Sequence, residues 1–490
     1  MEYVSTRGGA APVSSTRAVL NGLAPDGGLY VPKRFPDRID VKALIGKPFR
    51  EMAEAIYRCF LDDYPDLRSI IDRAYEGKFA CEELTPTVKV GDRYVLELFH
   101  GPTSAFKDVA LSVLPVLMTE AKKLEGEPGE IVILTATSGD TGKAAMEGFR
   151  DVPGIRIIVF YPANGVSPIQ EKQMVSQPGS NVLAAAVVGN FDDAQTGVKT
   201  IFRRVSKEGP APGVTAQFSS ANSINVGRLV PQIVYYFKAY SDLVAEREIA
   251  FGDEIDFTVP TGNFGDILAG FYAKKLGLPV RKLVCASNEN NVLTDFFETG
   301  KYDKNRPFYK TSSPSMDILV SSNLERFLYL AGGENGEKVK ALMESLSLSG
   351  EYDVDDSVFR LMEEHFDAGF ADTVETADCI NRVYSRYGYL LDPHTAVAWK
   401  VSEDYVRRTG TDVKNVVLST ASPYKFPADV LRAIGEEAPA DPFDVMEKLH
   451  DATGAAIPRN LAALRDAPIR FRDVVPKESM YDYVMEEVRK

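Results

Sequence analysis

Lys107 stands in Gly101-Pro102-Thr103-Ser104-Ala105-Phe106-Lys107-Asp108, a run of small, hydroxylated and aromatic residues that leads straight into an apolar stretch with helical spacing. Most lysines of a folded chain are solvated, and Asp108 directly after Lys107 reads equally well as half of an exposed ion pair. An amine kept among apolar groups and away from carboxylates behaves differently. Burial favours its neutral form, lowers its pKa and makes it a nucleophile toward aldehydes. Which description holds depends on the surroundings, and three other loops rich in Gly, Ser, Thr and Asn bear on it.

The first loop, Thr137-Ser138-Gly139-Asp140-Thr141-Gly142-Lys143, looks like a nucleotide phosphate loop but breaks its spacing. Gly139 is only three residues before Gly142, and Ala144 rather than Ser or Thr follows Lys143. What remains is a set of amides and hydroxyls at a helix start, either an anion site or a plain capped turn. In the second loop, Thr261-Gly262-Asn263-Phe264-Gly265-Asp266, two glycines allow a tight concave turn whose amides converge on an anion, with no Lys or Arg inside it. The third, Asn222-Ser223-Ile224-Asn225-Val226-Gly227-Arg228, offers amide, hydroxyl and guanidinium donors that suit a phosphate, or else an Asn/Ser cap followed by a surface arginine. Taken together, an amine and a phosphate cup suggest pyridoxal phosphate.

Strands and helices must hold these loops. "GEIVILTATSGDTGKAAMEGFR" passes from a continuous apolar run through a Gly-rich turn to an amphipathic segment, and "GIRIIVFYPANGVSPIQEKQMVSQ" repeats that order. Strand, loop and helix twice over predict a parallel α/β layer. After the break "PAPGV" comes a helix in "NVGRLVPQIVYYFKAYSDLV", then strand, loop, helix and strand in "IDFTVPTGNFGDILAGFYAKKLG" and "RKLVCASN", a second α/β lobe. The segment 362–406 reads as mostly helical, and "VKNVVLSTASPYKF" adds one more strand ending in a Ser-Thr loop. Residues 1–95 mix short apolar clusters with Gly/Pro turns and read as a separate N-terminal lobe. In open parallel sheets, ligands collect at the carboxyl ends of the strands, which is where all these loops lie.

Composition narrows the alternatives. At 490 residues the chain exceeds what one core fills. With 70 acidic against 56 basic residues, a formal charge of −14, and no basic stripe with interleaved aromatics, neither nucleic acid nor an anionic membrane is an expected partner. Cys59, Cys81, Cys285 and Cys379 are far apart and lack metal-site spacing, so reduced thiols and no metal are expected. No apolar run approaches the roughly 20 residues of a membrane helix, and the start "MEYVSTRGGAAP" has no signal-peptide character, which points to a cytoplasmic protein.

The ordered set "YVSTRGG", "GLAPDGGLYVP", "ELFHGPTSAFKD", "TATSGDTG", "SSANSINVGRL", "PTGNFGD" and "VVLSTASPYKF" resembles, nearly end to end, the longer bacterial and fungal type of threonine synthase, in the pyridoxal-phosphate family that includes the tryptophan synthase β subunit. The resemblance implies an α/β chain with two open, mostly parallel lobes of the fold-type II kind and an added N-terminal lobe. Its division would be 1–95, then 96–250 carrying the reactive lysine and substrate loops, then 251–490 carrying the phosphate cup and C-terminal helices. By the same resemblance Lys107 would bond the cofactor's aldehyde, while Gly262, Asn263, Phe264 and Gly265 would cup its phosphate. Asp266 would set that loop, and Thr420 would face the pyridine nitrogen. Ser138 and Thr141 would hold the substrate's α-carboxylate, and Asn222, Ser223 and Arg228 the phosphate of O-phospho-L-homoserine. Asp140 departs from the asparagine of many relatives of this fold and would repel an anion unless turned away, so its role is open.

The implied reaction converts O-phospho-L-homoserine and water to L-threonine and phosphate, with Lys107 as the base that shuttles protons. One rival is a related lyase or dehydratase that acts on a hydroxy- or phospho-amino acid and yields a 2-oxo acid. A catalytically silent binding protein of the same fold would have lost the lysine or the cup, and both are present. A nicotinamide enzyme would need G-x-G-x-x-G after the first strand, which is missing.

Overall fold

The computed structural model describes residues 1–209 and 216–490; the break at 210–214 lies outside the described residues. Four sheets organise the described residues. Strands β1 (Glu2–Ser5), β2 (Val13–Ser14) and β3 (Tyr30–Pro32) make a small antiparallel sheet at the start. The hairpin β4 (Thr87–Val90) and β5 (Arg93–Glu97) follows, then β6 (Ile131–Ala136), β7 (Ile155–Pro162), β8 (Val182–Val188) and β9 (Gln217–Ser219). The later strands are β10 (Ile255–Pro260), β11 (Val280–Ser287), β12 (Lys301–Asp303), β13 (Glu351–Asp353), β14 (Phe366–Phe370), β15 (Asn415–Ser419) and β16 (Val474–Pro476).

One large sheet runs β14-β11-β10-β15-β5-β4, parallel except where β4 returns against β5. The other runs β16-β8-β7-β6-β9 and is parallel throughout. The class is therefore the expected α/β fold with mostly parallel sheets. β6 and β10 are buried along their whole length, as apolar runs covered by helices on both faces must be. The helix Val226–Ala245 is buried nearly all round and packs against the helices Phe49–Phe60 and Gly265–Lys275. An apolar surface on every side leaves a helix no stable place except the interior.

Sequence order and sheet membership part company at both ends. β5, from the N-terminal stretch, pairs with β15 inside the first large sheet, and β16, close to the C-terminus, edges the second. The segment read as mostly helical also holds β14, only five residues long, in which Asp367 and Gly369 interrupt the apolar pattern that marks a strand. Among the described residues no helix is long and apolar enough to cross a membrane, no acidic, His or Cys group is placed to hold a metal ion, and the four cysteines are free.

Candidate active site

Lys107 begins the helix Lys107–Leu111, and the loop before it is stitched to the loop after β15. Ala105 bridges Ala421, the Phe106 amide donates to Thr420 O at 2.8 Å, and the Ser422 amide donates to Ser104 O at 3.0 Å. Ser104 takes a left-handed backbone, φ 61°, to make that junction. The exposed-pair reading of Lys107 and Asp108 fails, because both are buried. Asp108 turns away and accepts from the Thr103 amide at 2.8 Å and the Thr103 hydroxyl at 2.6 Å. Burial pushes its carboxyl up to about 6 against those hydrogen bonds. Burial likewise lowers the Lys107 amine to about 8; Asp140 opposes the shift, while the Arg228 and Lys425 cations add to it.

One cleft collects Lys107, Ser138, Thr141, Asn222, Ser223, Arg228, Gly262, Asn263, Phe264, Gly265, Asp266 and Thr420, every residue that the sequence nominated. The loops after β6, β10 and β15 supply most of them, as the carboxyl ends of parallel strands should. A larger cleft of about 990 Å³ shares Asn222, Ser223 and Asn263 with it and opens beside it.

The cup after β10 is shaped by backbone. Phe264 is left-handed at φ 62°, and the helix Gly265–Lys275 begins beside the cleft with no side-chain cap, which leaves its first amides available to an anion. Gly262 is required by its neighbour: a Cβ there would lie 2.5 Å from Ser315 O. Ser321 Oγ donates to Gly262 O at 2.7 Å, and the Asn323 amide to Asn263 O at 3.0 Å. Asp266 accepts from the hydroxyls of Tyr235 at 2.5 Å and Tyr236 at 2.9 Å, which hold it back from the cup.

Across the cleft, the helix Asp140–Phe149 starts at Gly139, whose φ of 130° favours glycine. Thr137 Oγ1 accepts from the amides of Gly139 at 2.9 Å and Gly142 at 2.8 Å and folds this loop. Asn222 donates to Ala136 O at 3.1 Å. Arg228 is 2% exposed, donates from Nη1 to Ala221 O at 2.7 Å, and leaves Nε buried with no partner. No carboxylate among the described residues pairs with it. Burial lowers it to about 10, and so a buried cation without a counterion faces the cleft. An anion is what would offset that cost.

Residues 80–421 match the family described as "Pyridoxal-phosphate dependent enzyme", residues 2–75 "Threonine synthase N terminus", and residues 395–484 "Threonine synthase, C-terminal". The chain is 39% identical to "Threonine synthase" of Pseudomonas aeruginosa, over 95% of this chain and 97% of that one. It belongs to the threonine synthase family of pyridoxal-phosphate-dependent enzymes. The structure of PLP-bound threonine synthase from Brucella melitensis superposes with a TM-score of 0.86 at 39% identity, covering 100% of this chain and 99% of that one. Threonine synthase from yeast gives 0.85 at 35%, covering 99% and 98%. Human "Threonine synthase-like 1" is 41% identical over 86% of this chain, which spans only 58% of its length.

The residues present fit the cofactor of this family. An aldehyde needs an amine that is neutral near physiological pH, and Lys107 is buried with no carboxylate bonded to it. A phosphate needs convergent donors, and the uncapped helix start after Phe264 provides them.

Three residues in or beside the cleft escaped sequence reasoning. Lys425, fully buried, places Nζ 2.5 Å from Asp140 Oδ1, so Asp140 is turned onto a cation. Burial would raise the Asp140 carboxyl, but Lys425 and Lys107 outweigh it and hold it well below the carboxylate range. Ser315 donates from Oγ to Asp140 Oδ2 at 3.4 Å and from its amide to His394 Nε2 at 3.2 Å. His394 Nδ1 lies 2.8 Å from Asp392 Oδ1, and since Nε2 accepts, Nδ1 carries the proton toward Asp392. The available signal was Asp392-Pro393, an N-cap followed by proline, which announces a helix whose first turn bears His394.

Proposed function

We propose that this chain converts O-phospho-L-homoserine and water to L-threonine and phosphate. The observation that carries the reading is Arg228, a buried guanidinium without a counterion in the same cleft as a buried amine and an amide cup. Gly262, Asn263, Phe264 and Gly265 would hold the phosphate of pyridoxal phosphate, with Asp266 bracing the loop through Tyr235 and Tyr236. Bound there and at Lys107, the cofactor would supply an electron sink for negative charge developing on the substrate's carbons. Thr420 would offer the ring nitrogen a neutral hydroxyl instead of a carboxylate. Ser138 and Thr141, with the first amides of the helix Asp140–Phe149, would grip the α-carboxylate. Lys107, with its amine free, would be the base that takes the Cα proton and then a Cβ proton. Asn222, Ser223 and Arg228 would hold the phosphate and stabilise its charge as the Cγ–O bond breaks. The protons taken from Cβ and Cα would return to Cγ, which becomes the methyl group, and to Cα, while water would give its hydroxyl to Cβ and its proton to the departing phosphate. The free thiols suit a reducing, cytoplasmic setting.

The test is product analysis with O-phosphohomoserine, comparing wild type and Arg228→Ala. A desolvated guanidinium–phosphate contact is worth roughly 2–4 kcal/mol. The variant should therefore keep its cofactor absorbance yet lose on the order of 10²-fold or more in kcat/KM. Full activity of the variant, or 2-oxobutyrate without threonine from the wild type, would replace this reading with the lyase.

A further inference from the structure

Lys425 sits at the end of the loop after β15, 0% exposed. Besides its contact with Asp140, Nζ donates at 3.2 Å to Thr103 O, in the loop that carries Lys107. Asp140 opens the helix Asp140–Phe149 beside Ser138 and Thr141. It accepts from Lys425, from Gln170 Nε2 at 2.9 Å and from Ser315 Oγ at 3.4 Å, but not from Lys107. Yet the Lys107 charge is near enough to act on Asp140, and the reverse holds too. Two buried ammoniums thus compete for one carboxylate. The ion pair goes to Lys425, and Lys107 is left with no carboxylate bonded to it.

We propose that Lys425 is a positioning residue: it takes up the Asp140 carboxylate so that Lys107, the reactive amine of the function proposed above, is not locked as an ammonium–carboxylate pair. A carboxylate is compatible with the site because a dedicated cation from a distant loop occupies it. The proposal rests on Lys107 being the reactive amine. The charged groups acting on Lys107 are Asp140, Arg228, Lys425 and Asp108. Asp140 faces Lys425, Lys107, Gln170 and Ser315, with His394 behind Ser315.

The experiment follows amine-reactive labelling of Lys107 by peptide mass spectrometry from pH 6 to 11, in the full chain freed of cofactor by dialysis. In wild type the midpoint should fall near 8. Lys425→Met leaves Asp140 to Lys107 alone and removes a repelling cation, so the midpoint should rise by roughly one unit or more. Asp140→Asn removes the anion and should move the midpoint the opposite way, below wild type, while Lys425→Arg should stay close to wild type. A purely structural role for the pair would not shift the two variants in opposite directions. A wild-type midpoint near 8 with both variants unmoved, or moved in the same direction, overturns the role of Lys425 alone. Wild-type Lys107 that titrates like a surface lysine overturns the reactive-amine reading and this proposal with it. Should Lys425→Met fail to fold, Lys425→Gln takes its place: a midpoint above wild type supports the proposal, and an unchanged or lower one overturns it.

Discussion

Asp266 shows how a single side chain can be held at a site without touching its chemistry. Its carboxyl is buried, Oδ1 accepts from two tyrosine hydroxyls, and Oδ2 has no partner. Burial pushes it from 3.8 up to about 6 against the Tyr235 and Tyr236 hydrogen bonds. A carboxyl whose folded pKa is raised contributes stability below its unfolded pKa and loses that contribution as pH rises through the folded value. Asp266→Asn keeps the acceptor for both hydroxyls and cannot ionise. The stability difference between variant and wild type should therefore move toward the variant by roughly 2–3 kcal/mol between pH 4 and pH 8. Urea unfolding at several pH values measures it, and a difference independent of pH would mean that the buried carboxyl does not titrate there.

At the scale of elements, the cup is made by two segments pressed together. Residues 313–317 lean on Gly262 through Ser315 O and are fastened at the back by His394 on the helix Pro393–Thr409. Gly262→Ala would place a methyl group 2.5 Å from that carbonyl oxygen, and a backbone atom cannot swing aside as a side chain can. At Gly265 the nearest atom to an added Cβ is Asn323 Nδ2 at 3.3 Å, a smaller intrusion on a side chain able to move. Gly262→Ala should therefore weaken pyridoxal phosphate binding by on the order of tenfold, the equivalent of about 1.4 kcal/mol, and Gly265→Ala by less. Cofactor absorbance after graded dialysis ranks the two. Equal retention by both variants would show that the 313–317 segment yields freely. The glycine spacing made the turn legible in the sequence, but the reason for Gly262 was not, because Ser315 approaches from another part of the chain.

Over the whole molecule, the helix Leu324–Ala331 fastens the N-terminal sheet to the site. Thr6 Oγ1 donates to Glu325 at 2.6 Å, and Arg7 binds both Glu325 oxygens at 2.9 Å. Arg326, fully buried, donates to Tyr30 O at 2.9 Å and to Ile224 O at 2.6 Å, and also binds Asn323. The early motif "STRGG" thus serves as an anchor whose far end reaches the segment with Asn222, Ser223 and Arg228. Arg7→Met would leave Glu325 buried with the Thr6 hydroxyl as its remaining side-chain donor. Partial exposure of Arg7 keeps the expected loss modest, about 1–2 kcal/mol. A lower urea midpoint at unchanged slope would register it. A midpoint equal to that of wild type would show that the N-terminal sheet is held by apolar packing alone.

What the sequence determined by itself was local: the order of strand, loop and helix, the glycines that let loops turn, the start of a helix at Lys107, and the twelve residues that share one cleft. These are legible because apolar period and turn chemistry act over a few residues. Only the tertiary structure decided the rest. It inserted β5 and β16 into sheets built mainly by other parts of the chain, buried Asp108 away from Lys107, stripped Arg228 of any counterion, and carried Lys425 to Thr103, 322 residues distant, and to Asp140. The physical reason is clearest for Arg228 and Lys425. Burial and long-range pairing set the protonation and the partners of a charged group, and both arise from how the chain crosses itself rather than from any neighbour in sequence.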